Sequence, residues 1–163
     1  MKKALNPQSI NETKAGEIGI FQTMIVSGPV IVQPIDGVLK TLLVKHGDQP
    51  ITELKWKFCG GKLLKGFSLR ENAIRESKEE IGVKIKIIDD LPTLELWNEI
   101  PETGNDKPEL IVLVHYLAEI NKEPQAGPEI IDMQWFNINS LPDNCSPNVK
   151  PIIDYYKQKY IVK

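Results

Sequence analysis

The amino-acid sequence predicts an α/β fold of the α+β class, a sandwich built on a mixed, largely antiparallel sheet. Three observations predict it: short β-branched or alternating apolar segments recur along the chain, an Asp-Gly pair joins two of them, and two segments carry helical signals. Strands that outnumber helices and follow each other through short turns favour this class over a doubly wound parallel sheet. With 163 residues, the chain is expected to form one domain, residues 1–163.

The first part of the chain is predicted to form strands behind a flexible or peripheral leader, residues 1–16. Residues 20–26 and 30–35 are rich in β-branched side chains and are separated by Ser-Gly-Pro, so we expect two strands. The pair Asp36-Gly37 is a strong hairpin signal, and it predicts that residues 30–35 pair antiparallel with residues 38–45.

A third strand and a helix are predicted next. Apolar and lysine side chains alternate over residues 54–58, the period of a half-buried strand, and a pair of glycines follows directly. Ser68 begins a Ser-x-x-Glu capping box, and Gly82 supplies the left-handed position that ends a helix. These signals predict a helix over Leu69–Ile81.

Beyond this helix the sequence predicts more strands and one more helix. Polar segments at residues 101–108 and 121–129 indicate loops. Ser146 and Pro147 open a C-terminal helix, residues 147–160, whose apolar side chains fall on one stripe. The β-branched composition predicts strands over residues 83–88, 94–99, 109–120 and 133–138.

Charge and composition exclude several classes of protein. Twenty Lys and Arg against 22 Asp and Glu give a net charge of −2, too balanced for the basic field of a non-specific nucleic-acid binder. No apolar run is long enough to suggest secretion or membrane insertion. Cys59 and Cys145 lack metal-ligand spacing, so we interpret both as reduced thiols of a cytoplasmic protein.

Three glutamates share one face of the predicted helix. At about 100° per residue, Glu76, Glu79 and Glu80 fall within roughly a 100° arc, and the sequence suggests no basic residue on that arc. Such a group is either a solvated surface or a site whose mutual repulsion a divalent cation relieves. Mg²⁺ takes carboxylate oxygens together with substrate phosphates, and the glycines ahead of the helix let a metal or phosphate approach the backbone.

The spacing of these residues resembles a known motif. Residues 61–83 look like the Nudix box, G-x5-E-x7-R-E-U-x-E-E-x-G-U with U aliphatic, a loop-helix-loop that binds divalent metal and hydrolyses diphosphates linked to another moiety. Residues 56–62 resemble the strand and double glycine ahead of the box, and residues 132–136 resemble the family's closing strand. The resemblance covers most of residues 30–142 and implies a Nudix-like α/β/α sandwich. The positions that match in register are Gly61, Arg75, Glu76, Glu79, Glu80, Gly82 and Val83.

The sequence departs from the box at three positions. Phe67 stands where the family has its first glutamate, which helps to hold the arginine and the metal-binding acids, and Leu64 is apolar where a further acid is common. Ser77 replaces an aliphatic residue. Glu71 stands four residues before Arg75, the favourable order for a helical ion pair, so it is a candidate to orient the arginine instead. Alternatively, Phe67 is a packing residue, and the site keeps metal but works slowly.

The resemblance implies roles for individual residues. A carboxylate before the last strand usually completes such sites, and Glu129 is the first choice for it, with Asp132 second. Both, like His46 at a strand end, are otherwise interpreted as exposed surface residues. The implied metal ligands are Glu76, Glu79, Glu80, the Gly60 carbonyl and Glu129, and the implied catalytic residues are Glu76, Glu79, Glu80 and Arg75. For substrate binding we expect Gly61, Lys62, His46 and Asp132.

The function implied is Mg²⁺-dependent, or Mn²⁺-dependent, hydrolysis of the diphosphate linkage of a nucleoside diphosphate derivative. A nucleoside triphosphate is the first choice of substrate, followed by a nucleotide sugar or a dinucleoside polyphosphate. The alternative is a Nudix-fold nucleotide-binding or regulatory module with weak or no catalytic activity, which Phe67 and Leu64 favour. We expect a small-molecule nucleotide as the partner, with neither membrane nor nucleic acid, and the sequence leaves a homodimer open.

Overall fold

The computed structural model describes residues 22–47, 54–98 and 109–161, which form a seven-stranded sheet and two helices. In chain order the elements are β1 (Gln22–Ile35), β2 (Val38–His46), β3 (Gly61–Lys62), α1 (Leu69–Ile81), β4 (Lys86–Asp90), β5 (Leu94–Asn98), β6 (Glu109–Glu119), β7 (Ile130–Asn137) and α2 (Val149–Tyr160). The strand order is β4-β6-β1-β2-β7, with β3 beside β1 and β5 beside β6. Of the pairings between described strands, only β1 with β6 is parallel. The predicted α+β class and mixed, largely antiparallel sheet are confirmed.

Each face of the sheet carries its own apolar core because successive strand residues point to opposite sides. On one face, which we call the α1 face, Ile31 and Val44 share a core with Ala73 and Ile81 of α1. On the other, the α2 face, the neighbouring strand residues Val30 and Leu43 share a core with Val149, Ile152 and Ile153 of α2. The two helices therefore cover opposite faces, as the resemblance to an α/β/α sandwich implies.

The structure replaces the two strands expected at residues 20–26 and 30–35 with one strand, β1, which continues through Ser-Gly-Pro. β6 pairs with it on one side as far as residue 31. On the other side the neighbour changes from β3, at Ser27, to β2, from Val32, and Pro29 lies between these two pairings. A proline is tolerated where no ladder needs its N–H group. Ser-Gly-Pro thus marks a change of strand partner, and the expected break is wrong.

The tight hairpin between β1 and β2 is confirmed. Asp36 and Gly37 have φ values of 52° and 78°, the left-handed pair that a two-residue turn needs. The strand expected over residues 54–58 is wrong. Within it, Trp56 and Lys57 each form one isolated bridge, to the loop before α2 and to β2 respectively. Two different neighbours, each paired at a single residue, do not build a ladder.

The remaining predicted elements are found, most of them with shifted ends. α1 has the predicted bounds, whereas β4 begins at Lys86, β7 at Ile130 and α2 at Val149, after an N-cap at Asn148. The short β3 was not expected. The predicted leader, residues 1–16, and the loop of residues 101–108 lie outside the described residues.

Candidate active site

Helix α1 begins with the predicted capping box. The Ser68 hydroxyl accepts a hydrogen bond from the Glu71 N–H (3.1 Å), and the Glu71 carboxylate accepts one from the Ser68 N–H (2.8 Å). The Ser68 N–H, and to a lesser extent the Ser68 hydroxyl, lower the pKa of the Glu71 carboxyl group. The hypothesis that Glu71 orients Arg75 is therefore wrong, because the Glu71 carboxylate is used at the helix N-terminus, where it also favours the helix dipole.

Arg75 is held instead by its own turn of the helix and by the strand beside it. Its Nη1 donates to Glu79 Oε2 (3.0 Å), and its Nη2 donates to Glu76 Oε1 (2.6 Å) and Asn72 Oδ1 (2.7 Å). Nη2 also lies 3.3 Å from the carbonyl oxygen of Lys62 in β3. The expectation that no cation offsets the glutamates is wrong, because the long arginine side chain reaches two of them.

Phe67 occupies the place of the missing acid as an aromatic contact. Its ring centroid lies 5.5 Å from the Arg75 guanidinium carbon, within the range of a cation–π interaction. The ring supplies no hydrogen-bond acceptor in the guanidinium plane. The Arg75 Nε–H is buried and has no hydrogen-bond partner among the described residues.

Two of the glutamates lie against Gly60 and Gly61, the glycine turn ahead of the helix. The Gly60 N–H donates to Glu80 Oε1 (2.6 Å), and a Cβ on Gly61 would overlap the Glu76 carboxylate. Glu80 is only 2% exposed, and its other oxygen contacts His46 Nε2 at the end of β2. The glycine turn is thus the point where two carboxylates meet a backbone without side chains.

The glutamates differ in their surroundings. Burial raises the pKa of Glu76, the hydrogen bond from Arg75 opposes this, and the nearby charges of Glu80 and Glu79 raise it further. The Glu79 side chain is 59% exposed and faces solvent beyond Arg75. Burial and the charge of Glu80 also raise the pKa of the Cys59 thiol, which keeps it protonated as a core residue.

We call Glu76, Glu80 and the glycine turn beside them the acidic corner. Of the other expected site residues, Glu129 lies near the strand end beside this corner, and Asp132 lies apart from it. The Glu129 carbonyl accepts a hydrogen bond from the Gly47 N–H (2.9 Å), so its backbone adjoins the end of β2, while its side chain is exposed. Asp132 pairs in register with Lys45, whose ammonium lies over the Trp56 ring on the α2 face. Strand alternation therefore directs Asp132 away from the glutamates of α1.

Two features of the site were not found from the sequence. One is Asn72, which is fully buried and contacts Arg75. The other is the loop of residues 121–129, which binds the C-terminal end of α1: the Gln125 and Gly127 N–H groups donate to the carbonyls of Ile81 (2.9 Å) and Glu80 (2.8 Å). Asn72 lies one helical turn before Glu76, on the arc of the three glutamates, so the sequence pattern gives no sign that it is buried. The loop gives no sign either, because its bonds come from the backbone.

The acidic corner fits a hard divalent cation by its donors. Within residues 22–47, 54–98 and 109–161, no three acidic, histidine or cysteine side chains stand at metal-binding spacing. Arg75 binds Glu76 and Glu79, and His46 binds Glu80. Carboxylate oxygens beside a bare backbone turn are nonetheless the donor type that Mg²⁺ and Mn²⁺ prefer.

Comparisons with known proteins agree with this fold and show the family. The family model described as NUDIX domain matches residues 27–156. An ADP-ribose pyrophosphatase from Methanocaldococcus jannaschii is 29% identical over 133 residues, which are 77% of this chain and 73% of the relative. Among solved structures, a MutT protein from Methanosarcina mazei superposes with a TM-score of 0.66 at 16% identity, over 85% of this chain and 95% of that one. A C. elegans Ap4A hydrolase complex gives 0.56 at 23% identity, over 83% and 89%.

Fold and site therefore define an α+β domain with an acidic helix beside a glycine turn, the type of domain that the Nudix resemblance implies. The chain belongs to the NUDIX domain family. It is an enzyme, a Nudix pyrophosphohydrolase, and the small-molecule substrates of this family are nucleotides. None of the described helices combines the length and apolar character needed to cross a membrane.

Proposed function

We propose that the enzyme uses Mg²⁺ or Mn²⁺ to hydrolyse the diphosphate linkage of a nucleoside diphosphate joined to a sugar, as in ADP-ribose. The observation that carries the chemistry is the meeting of the Glu76 and Glu80 carboxylates at the glycine turn. The ADP-ribose pyrophosphatase relative supports a nucleotide sugar over the nucleoside triphosphate that the sequence ranked first. The structures titled MutT and Ap4A hydrolase are less than 25% identical to this chain and bear on its fold alone.

In this proposal Glu76, Glu79 and Glu80 hold the metal, together with the Gly60 carbonyl and Glu129. When bound, the divalent cation neutralises the diphosphate and acts as a Lewis acid. Arg75 sets the positions of Glu76 and Glu79 through its two terminal nitrogens. A carboxylate of this group accepts the proton of the attacking water, which is the part of general-base catalysis that a side chain supplies.

The substrate contacts are proposed for the strand β3 side of the corner. The Glu76 carboxylate fills the space beside Gly61, so we propose the phosphate contact for Lys62, whose exposed side chain lies next to it. His46 contacts Glu80, so we assign it to holding that carboxylate in place. Asp132 is left out because it lies on the α2 face. The single domain, the homodimer and the cytoplasmic location stay predictions of the sequence.

A panel of substrates tests the proposal. Wild-type protein is incubated with ADP-ribose, other nucleotide sugars, nucleoside triphosphates and dinucleoside polyphosphates in millimolar Mg²⁺ or Mn²⁺, and products are identified by mass spectrometry. We expect metal-dependent cleavage between the two phosphates of ADP-ribose, giving AMP and ribose phosphate, and no cleavage in EDTA. Preferred cleavage of another class would contradict the substrate assignment. Nucleotide binding without cleavage anywhere on the panel would favour the binding-module alternative.

A further inference from the structure

Asn72 is a fully buried polar side chain on α1, and it lies at the centre of a hydrogen-bond network beside the acidic corner. Its Nδ2 donates to the Ser27 hydroxyl of β1 (2.9 Å) and to the Gly61 carbonyl of the glycine turn (3.1 Å). Its Oδ1 accepts the hydrogen bond from Arg75 Nη2 (2.7 Å). The Ser27 hydroxyl in turn donates to the Leu69 carbonyl (2.8 Å).

The orientation of the Asn72 amide is set by these partners. A carbonyl oxygen can only accept, so the Gly61 carbonyl requires the Nδ2 side of the amide. A guanidinium can only donate, so Arg75 requires the Oδ1 side. With a buried amide satisfied on both sides, any rotation of Asn72 would leave a buried polar group without a partner, which is costly. Asn72 therefore presents one fixed acceptor to Arg75.

Arg75 has few other restraints from outside its own helix. The Phe67 ring attracts the guanidinium but does not set its rotation about the ring normal, and the Nε–H lacks a partner among the described residues. The bond to the Lys62 carbonyl is long, at 3.3 Å. Glu76 and Glu79 also accept bonds from Arg75, but they belong to the same helix. The Asn72 Oδ1 accepts a short bond from Arg75 Nη2 and is itself anchored to two other elements through the Asn72 amide.

We propose that Asn72 is a positioning residue: it orients Arg75, and through Arg75 the Glu76 and Glu79 carboxylates, at the corner where Phe67 supplies no acid. The effect on Arg75 stands on the geometry alone. The effect on metal binding rests on the proposed function.

The first experiment measures the arginine directly in the metal-free full-length protein. Side-chain ¹⁵N NMR reports the rate of rotation of the Arg75 guanidinium. We expect Asn72→Leu, which keeps the size but removes the acceptor, to accelerate rotation roughly tenfold, and Asn72→Asp, which keeps an acceptor oxygen, to stay near the wild-type rate. Ser77→Ala is the matched control, because Ser77 is also fully buried on α1 and its hydroxyl donates to the Ala73 carbonyl. An Asn72→Leu protein that rotates Arg75 at the wild-type rate would overturn the proposal.

The second experiment asks whether Asn72 acts through Arg75. Mn²⁺ affinity is measured by electron paramagnetic resonance for the wild type, Asn72→Leu, Arg75→Lys and the double variant. We expect Asn72→Leu to weaken Mn²⁺ binding about tenfold in the wild-type background and to have little further effect beside Arg75→Lys. An equal loss in both backgrounds would mean a merely structural role and would overturn the proposal. A wild type that binds no Mn²⁺ would contradict the proposed function, and the rotation rate of Arg75 then decides the inference.

If Asn72→Leu does not fold, Asn72→Ala replaces it in both measurements, with the same expectations and the same overturning results.

Discussion

The two helices cover the same sheet but bury different kinds of side chain. α1 buries Asn72, Ser77 and Glu80 against the strands, each no more than 2% exposed, whereas α2 buries Val149, Ile152 and Ile153 completely. A buried carboxylate and amide are tolerated only because each has hydrogen-bond partners, and such groups add less to stability than apolar packing does. The comparison teaches that buried polar groups gather on α1, beside the proposed site, whereas α2 buries apolar side chains alone.

The acids of the two helices differ in the same way. Asp154 of α2 lies in solvent and pairs with Lys150 and Lys157 of its own helix. On α1, Glu76 and Glu80 instead meet at the glycine turn, and Glu76 and Glu79 share Arg75. Surface pairs within a helix contribute little to stability, so the acid on α2 needs no further explanation.

Replacing one carboxylate on each helix is the strongest test of the difference between the acids of α1 and α2. We expect Glu80→Gln to lower kcat for the preferred substrate roughly 100-fold or more, because the amide cannot act as a base and binds a divalent cation poorly. Asp154→Asn is the control on α2 and should leave kcat unchanged. Steady-state kinetics at saturating Mg²⁺ measure both. Full activity in both Glu79→Gln and Glu80→Gln would remove the glutamates from the reaction.

Removing apolar volume from α2 tests the other half of the comparison. Ile152→Ala deletes a fully buried side chain, and we expect it to lower the free energy of unfolding by about 2–5 kcal/mol. Because the site lies on the opposite face, kcat measured well below the melting temperature should stay near the wild-type value. Urea unfolding and kinetics on the same preparation check this. A loss of activity in a protein of unchanged stability would show that the two faces are not separable in this way.

Among the described residues of the α2 face, His115 is buried and titratable, and its effect should appear in stability rather than in catalysis. Its Nδ1–H donates to the Pro92 carbonyl (2.8 Å), and its Nε2 accepts from Asn148 (2.9 Å). Burial lowers the pKa of His115, only partly opposed by the bond to Pro92. The unfolded chain therefore binds a proton more readily than the folded one, and stability should fall as pH drops below about 6.5.

Urea unfolding between pH 5 and pH 8 measures this loss. The matched variant is His115→Gln, whose amide can donate and accept but does not titrate in this range. We expect the variant to show a weaker pH dependence than the wild type over that interval. Parallel curves for the two proteins would mean that His115 does not bind protons differently in the folded and unfolded states.

The smallest effect is expected at Phe67, on the α1 face. Phe67→Glu places a carboxylate where the Arg75 Nε–H has no partner among the described residues, and it adds negative charge near the helix N-terminus. We expect turnover to rise roughly fivefold, the equivalent of one net hydrogen bond. Phe67→Leu, which removes the ring without adding charge, is the control and should not raise turnover. Equal rates in the wild type and Phe67→Glu would show that this corner does not need the acid.

Much of the fold could be predicted because it depends on local signals. The capping box and Gly82 set the ends of α1, and the pair Asp36-Gly37 sets the hairpin, since each acts within a few residues. The unbroken β1 could not be predicted, because a change of strand partner at Ser-Gly-Pro depends on segments far along the chain. The same holds for residues 54–58, whose alternation is real but whose neighbours pair with only two of them.

The candidate site likewise has some features that depend on local sequence and others that depend on distant residues. The spacing of Glu76, Glu79 and Glu80 predicts one shared face, but the structure buries Glu80 at the glycine turn and leaves the Glu79 side chain 59% exposed. The role assigned to Glu71 was wrong because two local arrangements, a cap and an ion pair, competed for one carboxylate, and the cap won. Asp132 illustrates the limit in a strand, where a shift of one residue changes the face. Asn72 depends on partners 45 and 11 residues away in the sequence, which no local pattern reveals.

Metal linkage tests the central claim, that the acids of α1 at the glycine turn form a divalent-cation site. The melting temperature is measured with and without millimolar Mg²⁺ or Mn²⁺ for the wild type and for the double variant Glu76→Gln with Glu80→Gln. A ligand that binds only the folded state raises its melting temperature. We therefore expect metal to raise the melting temperature of the wild type, and to raise it further with a non-hydrolysable ADP-ribose analogue present. The melting temperature of the double variant should not change. Equal shifts in both proteins, or no shift in the wild type, would contradict the claim.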